Sequence, residues 1–477
     1  MQDYISIITH SNYKHWRYSI EHGLSLKKEM KNVTFLDLRG YAKNDKFAYI
    51  MQLLESFFYR NAVRQSKKYL KKNGVSIVRI KLKITDRIRI KTRANHLSKT
   101  PISDIQEMEL RNGFKNHFST EIGYLQIDFD EIDMRNRKTF FMDFLTGEKL
   151  GIEIMKRYKP FSCSFSHGRL PIQLGLIKVL NDTKISFVGL SGGGDENKYS
   201  VIPQGVHNMP FWRDQFMKEI NDITLQEKVP VNFETFHRRE NEYIRNMDNN
   251  LIDFLQIPYV VFYTGSDGED AFILPFEEGE FFEGELSALD SFYQEALNIG
   301  KTPVIRMHPK GFSKQWTEFK ENREKHILNS FPKAVIFTRE STVNSYSLGK
   351  GADLIASYHS TIGIELAMQG VPMIFFGPTI YRELLSSNFV KNSHEMNKAL
   401  LMPPKANTEV FYKWAKWEGM YGEKFIHYKI FQELTEFNGE QVFEGYKIFS
   451  HFKNNSKLRR FLIKNYVLIQ KYANNKR

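Results

Sequence analysis

Between residues 257 and 377, short apolar runs alternate with stretches of helical spacing, and this alternation constrains the fold more than any other feature of the 477-residue chain. The runs are YVVFYT at 259–264, PVIRMH at 303–308, AVIF at 334–337, DLIASY at 353–358 and PMIFFG at 372–377. Each is apolar nearly throughout rather than alternating with polar residues, the pattern of a strand buried on both faces. Helical spacing fills the intervals at 285–299, 314–330 and 361–369, with a short helix after Ser341. Strands joined in this way by helices lie parallel, so a doubly wound α/β sheet is expected. Ligands of such sheets sit outside the carboxyl ends of the strands. The polar residues that close each run are therefore where chemistry is to be sought.

The first half of the chain repeats the pattern less regularly. Strands are expected at 4–9 (YISIIT), 33–38 (VTFLDL), 76–82 (SIVRIKL), 160–165 (PFSCSF) and 184–190 (KISFVGL). Helical spacing covers 13–30, 46–72, 139–157 and 171–180. Residues 83–135 read as an irregular, polar insertion. The charged stretch around HRRENEYIRNMDNN lacks an apolar stripe and reads as a connection. The expected organisation is an N-terminal Rossmann-like domain over 1–225, a linker over 226–256 and a second Rossmann-like domain over 257–400. Helices with a basic tail are expected over 401–477. Two Rossmann-like domains facing a ligand cleft make the GT-B architecture.

The formal charge is +13, which points to an anionic partner: nucleic acid, an anionic membrane surface or an anionic substrate. The cations cluster in RQSKKYLKK and VRIKLKITDRIRIKTR, within 64–93, and in the tail from Phe452 to Arg477. The tail intersperses Leu458, Phe461, Leu462, Tyr466 and Ile469 among its cations, as a basic amphipathic helix on an anionic leaflet would. A helix packed on the protein with a solvated basic face has the same pattern. No run approaches the roughly 20 apolar residues of a membrane helix, and the first residues lack the pattern of a signal peptide. Cys163 is the sole cysteine, which excludes an internal disulfide and a cysteine-built metal site. The expected location is cytoplasmic, with peripheral contact to an inner membrane. No HExxH, GxxxxGK[ST] or GxGxxG pattern is present, and neither a metal nor a cofactor is expected.

Arg306 and His308 close one strand, and Pro309 and Gly311 then interrupt the chain so that backbone can approach a ligand. A guanidinium and an imidazole at such a point suit a phosphate leaving group. Ser360, Thr361 and Gly363 open a helix directly after another strand, where free N–H groups attract anions. Glu365 lies farther along that helix, in position to accept from a ribose hydroxyl. Thr264 and Ser266 stand in the turn after the first strand of the second half. In the first half, SFSHGR ends one strand and LSGGGDENKY follows the next. His167 and Asp195 are the candidates for the general base that an inverting transfer requires, and Arg169 for acceptor binding. The bland readings are ordinary N-caps at Ser360 and Thr361 and plain surface turns elsewhere.

RMHPK at 306–310, taken with ADLIASYHSTIGIELAMQGVPMIFFGPTIY at 352–381, resembles the "HP" and "S/ST" motifs of bacterial capsule-type transferases. That group includes capsule Kdo transferases and bacterial sialyltransferases, which have GT-B folds and use CMP-activated donors. The intervening VIFTRESTVNSYSLGKGAD is similar too, and FSHGRLPIQLG and GGGDENKY more loosely so. The resemblance covers 160–200 and 258–382. It implies that His308 and Pro309 hold the nucleotide base edge and phosphate, that Ser360 and Thr361 bind the donor phosphate, and that Arg169 belongs to the acceptor half. Relatives often carry Asn where this chain has His167, and an acidic residue where it has Leu190 and Ser191. The expected activity is transfer of a sugar from a nucleotide sugar, CMP-Kdo or another CMP-sugar, to an anionic or lipid-linked capsule or lipopolysaccharide glycan. The alternatives are a CDP-alditol glycerophosphotransferase of teichoic-acid type, a sugar-nucleotide epimerase, and a nucleic-acid- or glycan-binding protein without catalysis. Nucleic acid is the least favoured of these partners.

Overall fold

Parallel pairing organises two separate sheets, as strand–helix alternation requires. The computed structural model describes residues 3–9, 13–29, 32–38, 60–122, 128–194, 198–206, 208–223, 255, 258–265, 282, 284–308, 317–358, 360–377, 379, 382–430, 441–443 and 446–449. The chain divides into one unit of Met1–His117, Asp128–Asn208 and Met420–Lys471, and another of Phe118–Ile127, Met209–Gly419 and Tyr472–Arg477.

The first unit runs β1 (Asp3–Ile8), α1 (Tyr13–Lys28), β2 (Asn32–Asp37), α2 (Arg60–Lys72), β3 (Ser76–Val78), α3 (Ile84–Leu97), α4 (Met108–Ile122), α5 (Met134–Tyr158), β4 (Ser162–Ser166), α6 (Pro171–Asp182), β5 (Ser186–Gly192) and β6 (Lys198–Pro203). Its sheet has the order β3-β2-β1-β4-β5-β6, parallel up to β5, with β6 antiparallel. The order 3-2-1-4-5 is that of Rossmann-like sheets, and it reverses direction between β1 and β4. Trp16, Ile20 and Leu24 fall one helical turn apart on α1 and pack on Tyr4, Ile8, Val33 and Phe35. Each such side chain contributes roughly 1.5–3 kcal/mol of burial.

Helices α5 and α6 meet backbone to backbone. A Cβ on Gly147 would lie 1.9 Å from the Ile172 carbonyl oxygen, and one on Gly175 would lie 2.0 Å from that of Phe144. The two glycines let α6 sit between its strands and α5 without a layer of side chains.

Residues 83–135 are not irregular: α3 and α4 occupy most of them. The expected strand over 76–82 pairs only through Val78. Beyond it Ile80 and Leu82 are buried while Lys81 and Lys83 are exposed, so the alternation persists without a ladder. Of the helix expected over 46–72, Arg60–Lys72 is present and the rest lies outside the described residues. The linker expected at 226–256 lies outside them too, apart from Leu255.

The second unit runs α7 (Met209–Glu219), β7 (Tyr259–Tyr263), α8 (Glu285–Asn298), β8 (Thr302–Arg306), α9 (Thr317–Ser330), β9 (Val335–Phe337), α10 (Ser345–Lys350), β10 (Leu354–Ser357), α11 (Thr361–Ala367), β11 (Met373–Phe375), α12 (Ser393–Leu401) and α13 (Thr408–Met420). Its five strands are all parallel in the order β11-β10-β7-β8-β9. This is again the 3-2-1-4-5 arrangement, with its reversal between β7 and β10. Val260, Phe262, Ile305, Leu354 and Ile374 join Phe292 of α8 in one core. Two α/β units with Rossmann-type strand order, followed by helices, match the fold expected of a GT-B chain.

Past α13 the expectation of continued helix fails. β12 (Glu423–Lys424) adds to the edge of the first sheet beside β6, and β13 (Tyr428–Ile430), β14 (Gln441–Phe443) and β15 (Tyr446–Phe449) form a small antiparallel sheet. The basic tail from Phe452 lies outside the described residues. No described helix is long and apolar enough to cross a membrane.

Candidate functional site

In the second unit the strand order places the ends of β10, β7 and β8 side by side. Ser360 and Thr361 follow β10, Thr264 and Gly265 follow β7, and His308 follows β8. Sheets of this order take ligands beside the reversal, here between β7 and β10.

Thr264 is the hub of this edge. Its N–H donates to the Arg306 carbonyl at 3.0 Å, and its buried hydroxyl accepts the His308 N–H at 3.1 Å. Thr264 thereby fixes where β8 releases the chain, and the His308 side chain emerges half-buried at that point. The hydroxyl thus serves the backbone here, with its own O–H left to donate. Gly265 donates its N–H to the carboxylate of Glu285, on the first turn of α8. Glu285 is buried and also pairs with Arg323 of α9. The amide that a phosphate would have used is therefore taken by an acid. Ser266 and Pro309 lie outside the described residues.

Arg306 is turned into the protein. It is 1% exposed, with Nε donating to Ser345 Oγ at 3.1 Å and its two terminal nitrogens donating to the carbonyl oxygens of Thr338 and Ser341. A guanidinium bonded in this way organises the turn before α10. Its neighbour Tyr263 donates to the Ser345 carbonyl at 2.6 Å, so both side chains tie α10 to the sheet.

After β10, the Ser360 N–H donates to Ser357 Oγ at 2.7 Å, and the Ser360 side chain makes no capping bond to α11. Ser360 is half-buried and Thr361 exposed. Gly363 serves packing: a Cβ there would lie 2.8 Å from Met373 Cε on β11. Glu365 is buried and accepts the hydroxyl of Tyr346 from α10, a helix-to-helix bond. His308, Ser360 and Thr361 remain as the side chains that the edge presents.

In the first unit the equivalent reversal lies between β1 and β4. After Ser166 the chain turns sharply through His167 (φ 63°) and Gly168 (φ 91°). The left-handed region is uncommon for a residue with a side chain, and His and Asn enter it more readily than most. A histidine at 167 thus suits the turn. Burial, and after it the Arg169 guanidinium, push the His167 imidazole down to about 4. The ring is neutral at physiological pH, and its surroundings oppose its protonation. Arg169 is half-buried two residues on. Asp195 lies outside the described residues.

Gln173, which sequence reasoning passed over, holds this turn together. It is fully buried, accepts from the N–H groups of Gly168 and Leu170 at 3.0 and 3.1 Å, and donates to Thr9 Oγ1 at 2.8 Å and to the Ser166 carbonyl at 2.5 Å. One amide thereby ties the end of β1 to the end of β4 across the reversal. The available signal was Pro171 followed by Gln173, the N1 proline and the N3 glutamine of a helix start. Glu285 offered no comparable signal, since a lone acid opening a helix is ordinary.

No known protein family matches the chain, and no curated protein does. Among solved structures, the UDP-GlcNAc 2-epimerase of Methanocaldococcus jannaschii is similar at 10% identity over 87% of this chain and 98% of its own, with a TM-score of 0.31. A KpsC from Thermosulfurimonas dismutans, described as a beta Kdo 2,4 transferase, is similar at 14% identity over 54% of this chain and 79% of its own, with a TM-score of 0.30. A glycosyltransferase from Rickettsia africae shows 11% identity over 89% and 94%, with a TM-score of 0.28. At such scores the likeness bears no weight beside the strand order of the two sheets.

Proposed function

We propose that this chain is a glycosyltransferase that takes its donor as a nucleotide sugar at the carboxyl edge of the second sheet and its acceptor at that of the first. The observation that supports this reading best is the strand order β10-β7-β8, which sets His308 and the Ser360–Thr361 pair on either side of Thr264. In this reading His308 and the two hydroxyls bind the donor phosphate, where charge gathers as the glycosidic bond breaks. His167, neutral and held in a fixed turn, accepts the proton of the attacking acceptor hydroxyl. The sugar bonds to the acceptor oxygen, and the nucleotide leaves with the bonding electrons on its phosphate. From the resemblance of the RMHPK and HSTIG segments to capsule-type transferases, the donor is a CMP-activated acidic sugar such as Kdo. The acceptor is a capsule- or lipopolysaccharide-type glycan, and no metal takes part.

The test is a thermal-shift panel of CMP, CDP, UDP, GDP and ADP on the wild type and on His308→Ala. The bond from residue 308 to Thr264 uses the backbone N–H, so the alanine variant keeps it and keeps the fold. Stabilisation by CMP that disappears in His308→Ala is expected, and transfer from a CMP-sugar falls by at least about a hundredfold. No stabilisation by any nucleotide would overturn the proposal. A product containing a new phosphodiester would replace sugar transfer by glycerophosphate transfer.

A further inference from the structure

Helix α3 turns one face into the first unit through Ile90, Ala94 and Leu97. Its opposite face carries Ile84 and Ile88, one turn apart, at 77% and 60% exposure. Single exposed aliphatic side chains are ordinary, but two this open on one face, one turn apart, form a stripe. Cations surround the stripe: Arg87, Arg89 and Lys91 on the helix, and Lys81 and Lys83 on the segment that leads into it, all exposed. The only acid of the helix, Asp86, is turned to the packed side, where it pairs with Lys149 of α5. Arg93 likewise turns toward Glu107 and Glu148.

We infer that the outer face of α3 docks on an anionic lipid surface, with Ile84 and Ile88 entering the headgroup boundary and the flanking cations meeting lipid phosphates. An apolar stripe rimmed by positive charge and free of acids has the complementarity of an anionic leaflet. A single-stranded nucleic acid would want large aromatic side chains to stack on, and α3 has no Phe, Tyr or Trp. A protein interface would want an aromatic or large anchor at its centre, which the stripe also lacks. This inference does not depend on the transferase reading, and its test involves no activity measurement.

The test is co-sedimentation of the full chain with vesicles of phosphatidylcholine alone or mixed with an equal part of phosphatidylglycerol, at physiological salt. Binding to the mixed vesicles only is expected. Both Ile84→Ser/Ile88→Ser and Arg89→Glu/Lys91→Glu alter exposed positions and leave the packed face intact. The charge reversal should weaken partitioning by at least about thirtyfold, given about 1 kcal/mol for each cation lost and further repulsion from each carboxylate added. The serine pair should weaken it by about tenfold or more. Equal partitioning of wild type and serine variant would overturn the inference. So would tight binding of an RNA oligonucleotide without any binding of vesicles. A direct readout uses Ile88→Cys carrying a polarity-sensitive fluorophore, since the native Cys163 is fully buried and escapes labelling. A blue shift on mixed vesicles supports insertion of the stripe, and an unchanged spectrum overturns it.

Discussion

The residue that carries most chemical tension is His167. Its backbone occupies a conformation that side chains disfavour, and its ring sits where protonation is opposed by burial and by Arg169. Unfolded, the imidazole titrates near 6.5; folded, near 4. Between those values the unfolded chain binds more protons, so stability is whole above about pH 6.5 and falls as pH drops toward 4. Allowing for partial exposure, the loss at this residue between pH 7 and 5 is on the order of 1 kcal/mol. His167→Asn keeps a side chain that tolerates the turn and removes the titration. Urea midpoints should therefore fall less for the variant than for the wild type as pH is lowered from about 7 to 5. Parallel falls would mean that the ring is not held neutral. The same substitution removes the proposed base, so any transfer should drop while stability at pH 7 changes little.

At the scale of elements, the sequence was legible wherever burial was two-sided. Strands β7, β8 and β10 are apolar nearly throughout and were found within a residue or two. Helix α3 was missed for the reason that makes it of interest: Ile84 and Ile88 lie off its buried face, so the apolar residues do not fall on one stripe. The candidate residues were legible by strand end but not by direction. Arg306 and His308 close the same strand, and only tertiary structure reveals that the guanidinium turns inward to Thr338 and Ser341. The α5–α6 contact was equally hidden, because a glycine reads as a weak point of a helix rather than as a crossing. Gly175→Ala tests it. The added methyl would meet the Phe144 carbonyl oxygen at 2.0 Å, and backbone cannot yield as a side chain can. A loss of about 3 kcal/mol or more is expected from urea unfolding. A loss under about 0.5 kcal/mol, in line with the gain in helix propensity, would show that the helices separate freely.

At the scale of the whole chain, the return of the C-terminal segment to the first unit is the longest-range feature among the described residues. Glu21 of α1 is fully buried and accepts from the N–H groups of Ile426 and His427 at 2.6 and 2.9 Å. The His427 ring approaches the same carboxylate at 3.0 Å, across a sequence separation of 406 residues. Phe425 stacks on Tyr18 and Tyr199, and Tyr199 donates to Glu423 at 2.6 Å. No local pattern announces such a clasp, since its partners share neither an element nor a period. Its energetics are those of backbone donors taken out of water, each costing about 1–3 kcal/mol if left unpaired. Glu21→Ala strands two of these donors together with the ring, whereas Glu21→Gln keeps one carbonyl acceptor in place. The alanine variant should therefore lose about 3 kcal/mol or more and the glutamine variant less. Limited proteolysis followed by mass measurement should detect early cleavage within 421–430 in Glu21→Ala, intermediate cleavage in Glu21→Gln, and late cleavage in the wild type. If all three are cleaved at one rate, the segment is held by the aromatic stack around Phe425 and not by the carboxylate.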